Sequence, residues 1–153
     1  MNNILFRALG TCCLTFLLAV GNSASAAENV SRVTVELTGL ATETGVVFIA
    51  VFDSPDTWLG DEALTHQEVD ITESLEGEVV RSELQLPPGE YALLIFYDSN
   101  GNGELDTNFI GIPKEPIAMS NNAKMKFGPP KYEDAVFTLG SEAIVQRISV
   151  KEL

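Results

Sequence analysis

Val46-Val-Phe-Ile-Ala-Val-Phe52 and Tyr91-Ala-Leu-Leu-Ile-Phe-Tyr97 are apolar throughout and rich in β-branched and aromatic residues. Both read as central strands covered on both faces. Working outward, Val33, Val35 and Leu37 alternate with Thr34, Glu36 and Thr38, the period of a strand with one buried face. Val80 to Leu86 alternates again, with Val80, Leu84 and Leu86 inward and Arg81, Glu83 and Gln85 outward. That strand must stop at Pro87-Pro88-Gly89, because proline lacks the donor a ladder needs. Ala135 to Leu139 and Ile144 to Val150 supply further strands, and Gln67 to Thr72 offers an edge. Helical periodicity is nearly absent. The expected fold is all-β: a single antiparallel β-sandwich of about seven strands, immunoglobulin-like or transthyretin-like. A small β-barrel is the alternative.

The first residues, Met1 to Arg7, precede an apolar stretch from Ala8 to Val20 and then Ala24-Ser25-Ala26. A charged start, a hydrophobic middle and an A-x-A site describe a secretory signal peptide over residues 1–26, cleaved near Ala26. The apolar stretch is shorter than the roughly 20 residues of a membrane-spanning helix, so no transmembrane segment is expected after cleavage. Residues 27–153 are then one domain, in the periplasm or secreted. Both cysteines, Cys12 and Cys13, fall in the leader, which leaves a fold that must stand on its core alone.

The chain has 9 basic and 22 acidic residues, a formal charge of −13, and the leader contains a single basic residue and no acidic one. Nucleic acid and anionic membranes would be repelled. One local exception is Lys114, Lys124, Lys126 and Lys131, set against Glu115. This segment reads as a solvated loop, with a docking patch as the sharper alternative.

Asp98-Ser-Asn100-Gly-Asn102-Gly103-Glu104-Leu-Asp106 places side-chain oxygens at alternate positions and then a glycine. The spacing is that of the first nine positions of an EF-hand loop, and it points to calcium. Asp98, Asn100 and Asn102 would be first, third and fifth ligands, the Glu104 carbonyl the seventh, and Asp106 the ninth. The twelfth position is Phe109 instead of a bidentate glutamate, so water or a remote group must complete the shell, with Asp134 and Glu133 as candidates. The expected affinity is that of extracellular modules, on the order of 10⁻⁴ to 10⁻³ M. Two Asn-Gly pairs also make tight turns by themselves. Carboxylates at both ends, which a hairpin does not need and which repel one another, favour the cation.

Other chemistry is sparse. His66 is the single histidine, in a polar segment without a nucleophile motif, and reads as solvent-exposed. Pairs such as Asp61-Glu62 and Glu133-Asp134 carry no weight among 22 acids, so a carboxylate-dependent hydrolase ranks last. No phosphate loop, zinc spacing or nucleophile elbow occurs. Tyr91, two residues past Gly89, is placed as a tyrosine corner. Two long connections interrupt the strands, Asp53 to His66 and Gly111 to Lys131. Trp58 in the first reads as packing beneath the loop, with sugar stacking as the alternative. In the second, Ile112, Ile117, Met119, Met125 and Phe127 are expected to pack down over the sheet.

Leu86-Pro-Pro-Gly-Glu-Tyr-Ala92, the Asp98–Asp106 loop, Gly111-Ile-Pro113-Lys-Glu115, Ser120-Asn-Asn122 and Gly128-Pro-Pro130, with Ala135 and Phe137, together resemble domain-of-unknown-function family 2141. The resemblance implies an exported bacterial β-sandwich of the prealbumin-like type and no activity, substrate or partner. Where that family commonly has Gly-Phe before Ser-Asn-Asn, this chain has Ala118-Met119. The expectation is a non-catalytic structural or interaction module of the cell envelope, with a structural calcium and a protein or glycan partner. A carbohydrate- or small-ligand-binding domain is the alternative.

Overall fold

The computed structural model describes residues 29–125 and 128–150. The expected leader, with Cys12 and Cys13, and Lys126 and Phe127 of the second connection lie outside the described residues. In chain order the elements are β1 (Ser31–Thr38), β2 (Val46–Phe52), β3 (Thr65–Asp70), α1 (Ile71–Ser74), β4 (Leu75–Glu76), β5 (Val79–Leu86), β6 (Gly89–Asp98), β7 (Ile117–Met119), a 3₁₀ turn (Ser120–Asn122), α2 (Tyr132–Ala135), β8 (Phe137–Leu139) and β9 (Ile144–Ser149).

The strands form two sheets that do not close into a barrel. One has the order β4-β5-β1-β9, the other β3-β2-β6-β7, with β8 also pairing β6. Pairing is antiparallel except between β1 and β9, which run parallel because the chain crosses from β8 in one sheet to the far edge of the other. The two long apolar stretches are neighbours, registered Val46↔Asp98 through Phe52↔Ala92.

The alternation seen in the sequence sets the core between the sheets. Val33, Val35 and Leu37 of β1 and Val80, Leu84 and Leu86 of β5 meet Val47, Ile49 and Val51 of β2 and Leu93 and Ile95 of β6. Each such side chain stabilises the fold by about 1.5–3 kcal/mol when fully buried. Tyr91 Oη donates to the Pro87 carbonyl at 2.9 Å, the tyrosine corner expected from its spacing to Gly89.

Because β2 and β6 are apolar throughout, the five-stranded sheet also has an apolar outer face. Phe52, Ala92, Met119, Tyr132 and Ala135 form a second cluster there, with Trp58, Leu94 and Ile117 packed against it. Phe48 and Phe96 stack on the same face at 4.9 Å between ring centroids. The long connections cover part of this face. No helix among the described residues is long and apolar enough to cross a membrane.

Some boundaries differ from expectation. His66 stands exposed on β3, opposite Ala50, instead of in the preceding loop. Residues 132–135 form a helical turn where a strand was expected to begin, and Ile117–Met119 is a strand inside a connection read as loop. Three residues are too few to display alternation.

Candidate functional site

β6 ends in Asp98, and its buried carboxylate organises the turn that follows. Oδ1 accepts the backbone N–H groups of Asn100 (3.2 Å), Gly101 (2.7 Å) and Asn102 (3.3 Å), and Oδ2 accepts that of Gly103 (2.8 Å). Burial pushes Asp98 up, but the four N–H donors outweigh it and hold its carboxyl below the usual carboxylate range. The sign for stability follows: the contribution of ionised Asp98 is complete above the unfolded value of about 3.9 and is lost as pH falls through the lower folded value. Denaturant titrations from neutral pH down to the acid limb should show this component, and Asp98→Asn should remove it.

Gly103 sits at φ +77°, a conformation that a side chain would strain, and this glycine lets the loop turn back toward Phe48. Asn100 Oδ1 accepts the Asn102 N–H (3.0 Å) and Asn102 Oδ1 accepts the Glu104 N–H (2.8 Å). Both amide groups donate to Asp106 Oδ2, that of Asn102 at 3.3 Å. The structure thus brings Asp98, Asn100, Asn102 and Asp106 around one turn. Glu104 is exposed and joins through its backbone. Among the described residues, no three His, Cys, Asp or Glu side chains converge as a metal-ligating group. Whatever oxygen set the loop offers is two carboxylates plus amides and backbone.

Glu115 is the residue that sequence reasoning missed. The sequence shows it only as the end of the Gly111–Glu115 motif and as the one acid in a solvated lysine segment, yet it is only 2% exposed. Its Oε1 accepts the Ser99 N–H at 2.8 Å and the Ser99 hydroxyl at 3.2 Å, and its Oε2 accepts the Asp106 N–H at 3.1 Å. One carboxylate therefore ties both ends of the loop. Asp134, suggested for a remote role at this loop, instead accepts the Lys131 N–H at 3.2 Å at the start of α2, and Glu133 is exposed beside it.

From Asp106 the chain makes a small hairpin. The Lys114 N–H donates to the Asp106 carbonyl at 2.8 Å, Thr107 bridges to Pro113, and Asn108 Oδ1 accepts the Ile110 and Ile112 N–H groups, each at 3.0 Å. With its polar groups engaged at the base, the hairpin holds its apolar side chains outward. Phe109 is 98% exposed, and Ile110 and Ile112 are exposed as well. The expectation that the connection packs down is met by Ile117 and Met119 and overturned for Ile112 and Met125, which face solvent.

A groove of about 540 Å³ lies where this hairpin meets the outer face of the five-stranded sheet. Leu94, Ile117 and Met119 contribute from the sheet, Leu105, Ile110 and Ile112 from the hairpin, and Leu59, Met125 and Pro129 from the flanking connections. Thr107 is the one polar side chain among the described residues that line it. A second recess of about 450 Å³ shares Gly128 and Pro129 with the groove and is lined by Asn122, Lys124, Lys131 and Asp134.

Trp58 supports this face from below. Its Nε1–H donates to the Pro130 carbonyl at 2.9 Å, and its ring meets Phe52 and Tyr132 edge to face. The indole packs, as the loop reading expected.

Ser120-Asn121-Asn122 turns out to be a clamp. The Ser120 hydroxyl donates to the Ala135 carbonyl (2.6 Å) and accepts the Leu93 N–H (2.8 Å), filling the gap where β6 changes partner from β8 to β7. Asn121 Nδ2 reaches the Ala135 and Val136 carbonyls, and Asn122 pairs with the Arg147 carbonyl and Ser149 N–H along β9. Met119, where the resembling family has an aromatic, is buried in the outer cluster beside Phe52 and Tyr132.

These features define a two-sheet β-sandwich whose second sheet carries a loop-built apolar face. The chain belongs to the family described as an uncharacterized protein conserved in bacteria (DUF2141), which matches residues 35–146. Comparison with curated proteins gives no match. One solved structure to which the chain is similar is a cysteine-to-alanine mutant of the pilus-presented adhesin Cpa, at 13% identity and a TM-score of 0.27. That likeness covers 80% of this chain and 27% of the other, and carries no argument.

Proposed function

We propose that this protein is an exported, non-catalytic binding module of the bacterial cell envelope, whose working surface is the loop-covered face of the five-stranded sheet. The observation that carries this reading is the hairpin tip, where Phe109, Ile110 and Ile112 are held exposed beside an apolar groove. Exposed apolar side chains that recur in one patch mark a recognition surface. The Asp98–Asp106 loop serves this surface as a calcium brace. Asp98, Asn100, Asn102 and Asp106 supply side-chain oxygens, the Glu104 carbonyl a further one, and water the rest. Calcium replaces the two amide donors that now meet Asp106, so Asn100 and Asn102 turn their oxygens inward. Support comes from the ligand spacing, the convergence of Asp106 on both asparagines, and the ionised state favoured at Asp98.

Calorimetric titration of residues 27–153 with calcium tests the brace. Binding is expected with Kd on the order of 10⁻⁴ to 10⁻³ M, with a rise in melting temperature at millimolar calcium. The Asp98→Ala, Asp106→Ala variant should show neither. Absence of heat and of any shift in the parent protein would contradict the brace.

A further inference from the structure

We infer that Asn100 and Asn102 are sites of spontaneous deamidation, held latent because the Asp98 carboxylate occupies the backbone N–H groups of Gly101 and Gly103. In this reaction the backbone nitrogen that follows an asparagine loses its proton and attacks Cγ of the asparagine side chain. A five-membered succinimide forms as the Cγ–Nδ2 bond breaks, and the proton leaves with the amide nitrogen as ammonia. Water then opens the ring. Attack at the side-chain carbonyl carbon gives aspartate, and attack at the main-chain carbonyl carbon gives isoaspartate, with the chain now running through Cγ. On balance one amide and one water become one carboxylate and one ammonium ion.

The residue after the asparagine decides how easily its nitrogen reaches Cγ. Glycine puts nothing in the way, and at Gly101 even an added Cβ would meet no atom within 4 Å. Both Asn-Gly pairs are exposed to water. Asn108, on the neighbouring hairpin, is followed by the bulky Phe109 and is the unfavourable comparison. Folded, the loop withholds the nucleophile. Asp98 Oδ1 lies 2.7 Å from the Gly101 nitrogen and Oδ2 lies 2.8 Å from that of Gly103, so ionising either nitrogen would set two anions in contact. The electrophile is held as well: Asn100 Oδ1 and Asn102 Oδ1 each accept the N–H two residues on, and both amide groups donate to Asp106. Attack requires the turn to open, so the rate follows the small fraction of molecules in which it has done so.

Residues 27–153 are incubated in EDTA at mildly alkaline pH below the melting temperature, and conversion at each asparagine is followed by peptide mass spectrometry with fragmentation. In urea, Asn100 and Asn102 should convert faster than Asn108. In the folded parent both should slow by about tenfold or more. Asp98→Ala, with near-ultraviolet circular dichroism retained, should approach the urea rate at both sites. Asp106→Ala frees the two side-chain amides but leaves both glycines on Asp98, and should stay near the parent rate. Asn100 and Asn102 no faster than Asn108 in urea, or a folded parent as fast as the unfolded one, overturns the latent sites. Equal acceleration by the two variants, or none by Asp98→Ala, overturns the part given to Asp98. If Asp98→Ala does not fold, amide exchange in the parent decides: protected Gly101 and Gly103 N–H groups are expected, and free exchange at either overturns the assignment. All of these readouts are taken without calcium, so they stand or fall separately from the brace.

Discussion

Glu115→Ala is expected to lower stability by roughly 2–4 kcal/mol, with the damage concentrated in residues 98–115. The carboxylate is buried and accepts three donors from the two ends of the Asp98–Asp106 loop. Bonds to a charged acceptor are individually stronger than neutral ones, and alanine leaves the Ser99 and Asp106 N–H groups without their acceptor in a part-buried site. Glu115→Gln keeps an acceptor for Ser99 but presents an NH₂ group to the Asp106 N–H, so about half the loss is expected. Urea denaturation followed by Trp58 emission measures both variants. Calcium affinity should fall along with stability in Glu115→Ala, because the Asp106 N–H is no longer held and only the Asp106 carbonyl remains tied, to Lys114. A variant as stable as the parent would mean that the loop is closed by its asparagines alone.

Ser120→Ala is expected to cost roughly 2–3 kcal/mol, much for the removal of one oxygen. That oxygen accepts from Leu93 and donates to Ala135 where the edge of β6 away from β2 has no ladder partner. Ser120 is fully buried, so the Leu93 N–H loses its partner without gaining water, while the Ala135 carbonyl keeps only the Asn121 amide. Ser120→Thr keeps the hydroxyl but adds a methyl group to a filled site, and should destabilise by overpacking instead of by an unpaired donor. Amide exchange separates the two: accelerated exchange of Leu93 belongs to the alanine variant only.

The strands that make the core were legible because each carries its own pattern. Alternation at Val33, Val35 and Leu37, apolar runs at 46–52 and 91–97, and a proline stop at Pro87 are local signals, and the tyrosine corner followed from spacing alone. Elements without local pattern were not legible. β7 is three residues long and β4 two, so neither period nor composition announces them, whereas the edge read at Gln67 to Thr72 is found two residues earlier as β3. The calcium-like loop could be read as a loop because its Asx turns use neighbours in sequence. Glu115 could not, since its role depends on a hairpin that returns it to Ser99; Pro113 and Pro116 around it are the one hint that this acid sits in a fixed bend. Ser120-Asn121-Asn122 stood out as a motif, but its partners Ala135, Arg147 and Ser149 are remote in sequence, and only the fold supplies them.

The outer face follows from the same excess of apolar residues that marked β2 and β6 as central. A strand apolar on both sides needs two covers, and here the second cover is loop, not sheet. Loops held by side-chain hydrogen bonds can present apolar groups to solvent in a way that a packed sheet does not, and Phe109 is the extreme case.

The most direct test of a braced binding face is hydrogen–deuterium exchange of residues 27–153 with and without millimolar calcium, in the parent and in Glu115→Ala. Slowed exchange on adding calcium, confined to residues 98–116 and absent in the variant, is the predicted result. Exchange in that segment that calcium leaves unchanged, in a protein that nonetheless binds the ion, would contradict the account.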